Sequence, residues 1–176
     1  MKNILLLFFL GILIVSNAQS SYTLSADSKL TIDGTSTVHS WTVTANTLMG
    51  DLTVKDEVLN VINFEVAVSD IMSERGPTMD NKMHAALKKE THPKVVFVLE
   101  QVENDSVLVG HLTIAGTKKN IEISTTCNFN EDSIKIIGEK KIILQDFGIE
   151  PPTAMFGQII VGDEVTVNFD LVFTKE

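Results

Sequence analysis

Residues 164–171 read Glu164-Val165-Thr166-Val167-Asn168-Phe169-Asp170-Leu171, and this stretch decides the fold class. Apolar side chains occupy every second position, and polar side chains occupy the positions between them. Successive side chains of a β-strand point to opposite faces of the sheet, so the alternation predicts a strand with one buried face. The same alternation in residues 121–129 and 62–69 predicts two further strands of this kind.

Weaker strand patterns fill most of the remaining chain. They cover five more ranges: 29–33, 40–46, 94–102, 106–115 and 133–144. Turn-forming residues stand at most of the joins, such as Asp33-Gly34 and Asn130-Glu131-Asp132. Strands at this spacing, with few helices, predict an all-β chain folded as an antiparallel sandwich or barrel.

One segment, residues 77–89, predicts a helix of about three turns instead. Its apolar side chains recur at i, i+4, i+7 and i+8, which is one helix face: Met79, Met83, Ala86 and Leu87. Thr78 or Asp80 is the expected amino-terminal cap. His92-Pro93 should end the helix, because the residue before a proline avoids helical angles. The apolar face is expected to pack into a core or to line an apolar pocket.

A long irregular stretch lies between residues 145 and 162. It contains two adjacent prolines, three glycines and five large apolar side chains: Phe147, Ile149, Met155, Phe156 and Ile159. Long loops without regular structure are uncommon and tend to be functional. We expect this loop to bury its apolar side chains against another part of the protein.

The first 18 residues predict a cleavable signal peptide. Lys2 precedes an apolar run over residues 4–15, and Ser16-Asn17-Ala18 places small residues before a cleavage point. The run has 12 residues, whereas about 20 are needed to cross a bilayer, so no stable membrane span is expected. We therefore expect one domain over residues 19–176, exported to the periplasm.

The chain carries 14 Lys and Arg side chains against 23 Asp and Glu, a net charge of −9. This balance argues against nucleic acid and anionic lipid head groups as partners, since both require a basic surface. The single cysteine, Cys127, has no partner for an internal disulfide and is expected to be a buried, unreactive thiol. A homodimer through an exposed sheet edge is compatible with the sequence, but no residue specifies it.

The sequence offers little for metal binding or catalysis. No HxxxH or HExxH pattern occurs among the four histidines, so no metal site is predicted: His39, His84, His92 and His111. Asp33, Ser36 and His39 are close in sequence, but Ser36 and His39 would not meet on a regular strand. A turn rich in hydroxyls with a partly buried histidine is the better interpretation, and we predict no catalytic residue and no enzyme activity.

Four segments resemble the YceI family of polyisoprenoid-binding, lipocalin-like periplasmic proteins. They occur in family order between about residues 22 and 173. The segments are Ser36-Thr37-Val38-His39-Ser40-Trp41 followed by Gly50; Ala86-Leu87-Lys88 followed by His92-Pro93-Lys94-Val95-Val96-Phe97; Val109-Gly110-His111-Leu112-Thr113-Ile114-Ala115-Gly116-Thr117-Lys118-Lys119; and Asp146-Phe147-Gly148-Ile149 followed by Val161-Gly162-Asp163-Glu164-Val165.

The resemblance implies a single eight-stranded antiparallel, lipocalin-like barrel with one short helical insertion. It also implies a tunnel that holds an isoprenoid chain, such as a polyprenyl or quinone tail, with no required cofactor. The chain departs from the family pattern at Trp41, where phenylalanine is common, and in the loop over residues 151–156. Both departures affect the expected ligand more than the expected fold.

We therefore predict a periplasmic binding or carrier protein for an isoprenoid lipid. Eight residues are expected to line the binding site: Phe64, Val66, Met79, Met83, Leu87, Phe97, Phe147 and Phe156. His39 and the region of Asp146 are the candidates for contact with a head group at the mouth. Two alternatives stay open, which are a structural or protein-interaction module with a side-chain-filled barrel and an enzyme acting on a lipid or quinone. The enzyme would need converging polar groups with shifted pKa values.

Overall fold

The structure, a computed structural model, describes residues 19–55 and 58–176. The predicted signal peptide over residues 1–18 lies outside the described residues. The described residues form twelve strands and one α-helix, in the order β1 Gln19–Leu24, β2 Lys29–Ser36, β3 Ser40–Ala45, β4 Leu48–Lys55, β5 Val58–Ala67, β6 Ile71–Ser73, α1 Pro77–Ala86, β7 Lys94–Glu103, β8 Val107–Ile114, β9 Thr117–Phe129, β10 Ser133–Ile143, β11 Thr153–Ala154 and β12 Ile159–Lys175. Three short 3₁₀ segments connect some of them: Val68–Asp70, Leu144–Phe147 and Met155–Gly157.

Six of the strands follow one another end to end in three pairs. Each pair occupies a single strand position of the sheet, with a bend where its two strands meet. Strands β1 and β2 follow one another along β12, and β3 and β4 follow one another beside them, as do β5 and β6. Together with β7, β8, β9, β10 and β12, these positions make eight, and the neighbours pair antiparallel. The sheet closes because β12 pairs with β10 on one side and with β1 and β2 on the other. The predicted eight-stranded antiparallel barrel is confirmed.

In two of these three positions, the bend lies where the regular backbone hydrogen bonding to a neighbouring strand is interrupted. Between β1 and β2, the Ser25 N–H donates to the Val172 carbonyl at 2.7 Å, and the Val172 N–H donates to Ser28 Oγ at 3.0 Å. Between β5 and β6, the segment Val68–Asp70 bulges, and the Asn46 N–H donates to the Asp70 carbonyl at 3.0 Å. Such irregularities bend strands and allow a sheet to curve into a barrel.

The alternation predicted for residues 164–171 is observed in β12, and it places the apolar side chains inside the barrel. Ile134 of β10 stands opposite Phe173 of β12 in the register. Phe173, Ile134 and Leu52 are each 0% exposed and fill one end of the barrel. The other end carries α1, the β2–β3 turn and the segment that follows β10.

Helix α1 covers Pro77–Ala86 and is shorter than the predicted range. It ends before Lys88, which has a φ of 56°. Neither predicted cap is correct, because Gly76 is the cap residue and no described side chain bonds to the free N–H groups there. Asp80 turns instead toward β6, where its Oδ1 accepts hydrogen bonds from the N–H and the Oγ of Ser73, both at 2.8 Å.

The apolar side chains of the irregular stretch separate into two groups. Phe147 and Ile149 are buried, whereas Met155 is 64% exposed and Phe156 is fully exposed. Met155 and Phe156 have φ values of 50° and 55°, in a turn that directs both side chains away from the barrel. The expectation that the loop buries all its apolar side chains is therefore wrong for these two residues.

Candidate functional site

Near the end that carries α1, the inward-facing side chains leave a cavity of about 280 Å³. Its walls are mostly aliphatic, and representative contributions from the sheet are Leu30, Val43, Ile62, Ile123, Ile136 and Leu171. Moving an apolar chain from water into a cavity of this kind is favourable because of the hydrophobic effect. The barrel is therefore filled by side chains at one end and hollow toward the other.

Seven of the nine residues predicted for ligand binding line this cavity: His39, Phe64, Val66, Met79, Met83, Leu87 and Phe97. Phe64 and Phe97 stand directly opposite one another in the β5–β7 pair. Because β5 and β7 are neighbours, the two rings lie side by side on the inner face of the barrel. The structure thus brings these seven side chains together, and their contact with a ligand stays a prediction.

The other two residues do not line the cavity. Phe147 is 3% exposed and packs into a separate cluster, where Lys119 Nζ lies 6.0 Å from the centre of its ring. Phe156 points into solvent. Asp146, a candidate for head-group contact, also lies outside the cavity and forms an ion pair with Lys119 at 3.3 Å. Phe147 and Phe156 therefore do not line the cavity as predicted, because Phe147 is buried in the other cluster and Phe156 is exposed. Their contact with a ligand stays a prediction.

Polar contacts fix which face of α1 meets the cavity. His84 Nε2 donates to the Ile71 carbonyl at 2.9 Å, and Asp80 accepts two hydrogen bonds from Ser73. His84 and Asp80 are the buried residues of the helix. The apolar side chains of the helix meet the cavity instead: Met79, Met83, Ala86 and Leu87 line it. The helix is therefore attached by its polar side and offers its methionines to the interior.

Ser36 and His39 meet at the cavity mouth, contrary to what a regular strand would allow. The turn between β2 and β3 brings Ser36 Oγ within 3.3 Å of His39 Nδ1. Asp33 does not join them, because it is hydrogen bonded to Thr42 and to Asn168 Nδ2, the latter at 2.8 Å. The hydroxyl-rich turn with a partly buried histidine is thus observed, and the three residues do not form a Ser-His-Asp arrangement.

The only tryptophan of the chain, Trp41, also borders the cavity. Its Nε1 donates to the Thr35 carbonyl at 2.9 Å, which holds the indole across the β2–β3 turn. A Cβ atom added to Gly34 would lie 2.1 Å from Trp41 Cζ2. The indole can occupy this position only because residue 34 is glycine.

Sequence reasoning missed three basic residues that line the cavity, which are Arg75, Lys82 and Lys140. Lys140 shares the inward parity of Ile136 and Ile142 on β10, and this parity was readable from the sequence. Arg75 and Lys82 had no such signal, since their position depends on how α1 docks. The lining surface is almost entirely apolar, so these three residues border the cavity with their aliphatic stems.

The described residues offer little for metal binding or for nucleophilic chemistry at Cys127. Among the described residues, no group of three or more His, Cys, Asp and Glu side chains could hold a metal ion. Cys127 is half-buried beside the core. Burial raises the pKa of the Cys127 thiol, and a hydrogen bond with Thr125 opposes this rise. A raised pKa leaves less of the nucleophilic thiolate at neutral pH.

A closed antiparallel barrel with a hollow, apolar interior is the architecture of lipocalin-like barrels. The sequence model of the YceI-like domain matches residues 15–173, and the chain therefore belongs to the YceI-like family. No curated protein sequence matches the chain.

Three solved structures illustrate the similarity of fold. A polyisoprenoid-binding domain from Saccharophagus degradans, implicated in plant cell wall breakdown, has a TM-score of 0.71 at 12% identity and covers 89% of this chain and 99% of its own. BcnA of Burkholderia cenocepacia has a TM-score of 0.68 at 19% identity, covering 84% of this chain and 96% of its own. The YCEI protein of Campylobacter jejuni has a TM-score of 0.59 at 18% identity, covering 74% of this chain and 81% of its own.

In the part of the chain that the structure describes, no helix combines the length and the apolar character that crossing a membrane requires. The α-helix Pro77–Ala86 has ten residues.

Proposed function

We propose that the barrel binds and carries an isoprenoid lipid, with the apolar tail inside the cavity. The observation that carries this proposal is the hollow apolar end of the barrel, bordered by the phenylalanines of β5 and β7 and by the methionines of α1. The polyisoprenoid-binding domain from Saccharophagus degradans, which shares the fold, supports the same ligand class.

The energetics of tail burial favour this ligand. Each CH₂ group moved from water into an apolar site contributes about 0.8 kcal/mol, so one isoprene unit contributes a few kcal/mol before ordering costs. Met79 and Met83 are unbranched and adapt to the methyl branches of such a chain. No charged anchor is required for the tail itself, and polar groups are needed only where the head group leaves the cavity.

We further propose that the protein acts in the periplasm after removal of residues 1–18. The positive charge, apolar run and small residues at the start of the sequence support this location. Cell fractionation with amino-terminal sequencing tests it. A mature protein that begins at Gln19 in the periplasmic fraction is the expected result, and an uncleaved protein in the cytoplasm would contradict it.

Binding is tested with uncharged polyprenols of increasing length, namely geraniol, farnesol and geranylgeraniol. Trp41 borders the cavity and is the only tryptophan, so its fluorescence reports on occupancy. We expect affinity to rise by about tenfold or more with each added isoprene unit until the cavity is full. Absence of binding by all three alcohols, checked by calorimetry, would favour an interaction module without a ligand.

A further inference from the structure

An exposed apolar patch lies at the mouth of the cavity. Four side chains form this mouth patch, which are Val38, Met155, Phe156 and Ile160, and each is at least 49% exposed. Apolar side chains exposed singly are ordinary on a protein surface, whereas a group of them marks a site of interaction.

Hydrogen bonds join the two loops that carry the mouth patch. Val38 belongs to the β2–β3 turn, and the other three residues belong to the hairpin of β11 and β12. The Thr37 N–H donates to the Ile160 carbonyl at 3.0 Å, and Thr37 Oγ1 donates to the Gln158 carbonyl at 3.3 Å. The turn and the hairpin therefore form one surface.

The same two loops also line the cavity. Ile159 and Val161 border the cavity, whereas Ile160 between them is exposed, as the alternation of a strand requires. Ser36 and His39 of the β2–β3 turn border the cavity as well. Whatever covers the mouth patch therefore adjoins the end at which the cavity opens.

The tip of the hairpin holds its apolar side chains in an unusual backbone conformation. Met155, Phe156 and Gly157 have φ values of 50°, 55° and 86°. Hairpin turns with positive φ normally contain Asn, Asp or Gly. The β7–β8 hairpin follows this rule, since Asn104 and Asp105 have φ values of 50° and 59°. The exposed methionine and phenylalanine are therefore not a requirement of the turn itself.

The loops around the mouth patch carry no acidic or basic side chain except His39. Residues 34–42 and 151–162 contain no Asp, Glu, Lys or Arg, although charged residues make up 21% of the chain. Burial of this surface in an apolar medium therefore removes no carboxylate from water, which would be costly. Lys82 of α1 reaches the hairpin, where its Nζ donates to the Thr153 carbonyl at 3.0 Å. A lysine at this place keeps its ammonium group at the level of lipid head groups while its stem lies on apolar surface.

The size and shape of the mouth patch favour a bilayer over a protein partner. A stable protein interface takes about 20–30 residues on each side, and the mouth patch has four side chains, two of them at the tip of a hairpin. A bilayer accepts a protruding apolar tip without a complementary shape, as it accepts the apolar face of an interfacial helix. An isoprenoid chain is unfavourable in water, so a bilayer is also the natural source of the proposed ligand.

We propose that the mouth patch inserts into the surface of a phospholipid bilayer and places the cavity mouth against the lipid. The tail can then pass between bilayer and barrel without crossing water. This inference rests on the proposed function, because the molecule transferred is the ligand that the barrel holds.

Binding to phosphatidylcholine vesicles tests the insertion, with the protein purified from its own cells and measured by co-sedimentation. The double variant Met155→Asn with Phe156→Gly removes both apolar side chains and supplies the residue pair that such a turn prefers, so the barrel should fold. We expect it to bind vesicles about tenfold or more weakly than the unaltered protein. Added NaCl should leave the binding of the unaltered protein unchanged, because apolar contact is not screened by salt. Binding that NaCl abolishes would contradict the insertion.

Phe129→Ser is the matched control. Phe129 is 50% exposed and stands opposite Ile134 in the β9–β10 pair, at the filled end of the barrel. This variant should bind vesicles as the unaltered protein does. An equal loss of binding in the Phe129 variant and the double variant would show general adhesion of exposed side chains and would overturn the inference.

Farnesol separates this inference from the proposed function. Without vesicles, the double variant should bind farnesol as tightly as the unaltered protein, as measured by Trp41 fluorescence, whereas uptake of farnesol from vesicles should be several-fold slower. Equal vesicle binding by the two proteins, or none by either, would overturn the inference and leave the proposed function intact. Failure of the unaltered protein to bind farnesol would overturn the proposed function. A dimer that the double variant abolishes, without any vesicle binding, would assign the mouth patch to a second copy of the chain and would also overturn the inference.

Discussion

His84 Nε2 of α1 donates a hydrogen bond to the Ile71 carbonyl of β6 at 2.9 Å, and this bond fixes the helix to the barrel by its polar side. A buried carbonyl left without its donor costs about 1–3 kcal/mol. We expect His84→Ala to lower the free energy of unfolding by this amount and to weaken lipid binding. Urea denaturation measures the first effect and Trp41 fluorescence the second.

Asn81→Ala is the control for this prediction, because Asn81 is exposed on the same helix. Equal stability of the His84 and Asn81 variants would show that the helix is held by its apolar face instead.

A charge placed on the helix face should expel an apolar tail while the barrel still folds. Met83 borders the cavity and is only partly buried, so Met83→Asp introduces a carboxylate where farnesol would lie. A buried unpaired charge is strongly unfavourable, and we expect the affinity for farnesol to fall by about tenfold or more. Phe156→Asp should change nothing, because Phe156 is fully exposed. A comparable loss in both variants would contradict the described cavity.

The close approach of the Trp41 indole to Gly34 leaves no room for a side chain at residue 34, and this can be tested. Gly34→Ala places a methyl group 2.1 Å from Trp41 Cζ2, so the indole must move. Overpacking of this kind costs about 1–3 kcal/mol. We expect lower stability to urea and a shifted fluorescence maximum of Trp41. Thr44→Ala, on the exposed face of β3, is the control, and an unaltered spectrum of the Gly34 variant would argue against this placement of the indole.

The stability of the barrel should depend on pH through Cys127. Burial raises the pKa of its thiol in the folded protein above the ordinary value of 9.0. The unfolded chain therefore loses this proton at lower pH than the folded protein does. The contribution to stability is present below pH 9.0 and decreases as the pH rises through that value. We expect Cys127→Ala to flatten this decrease in urea titrations between pH 8 and 10, and parallel curves for the two proteins would contradict it.

Side-chain alternation made much of the barrel predictable from sequence. Strands β5, β9 and β12 were located because one of their faces is buried, which imposes a period of two. Strands β1, β4 and β6 were not predicted. Strand β6 has three residues, and β1 has only two large apolar side chains, Tyr22 and Leu24, which is too few in each case for a period of two to be visible.

The candidate site was predictable in part for a related reason. The apolar lining follows from strand parity and from the helix period, which located Phe64, Phe97, Met79 and Met83. The inward direction of Lys140 followed from the same parity but was not considered. The docking of α1 through Asp80 and His84 depends on the edge of β6, and the meeting of Ser36 with His39 depends on a two-residue turn. Neither contact leaves a periodic signal in the sequence.

The central claim is that the cavity holds an isoprenoid lipid, and native mass spectrometry of the protein purified from its own cells tests it most directly. Organic extraction of the same sample then identifies any bound molecule. We expect one discrete additional mass that extracts as an isoprenoid. A ligand-free mass, together with no binding when polyprenols and polyprenyl phosphates are added back, would contradict the claim.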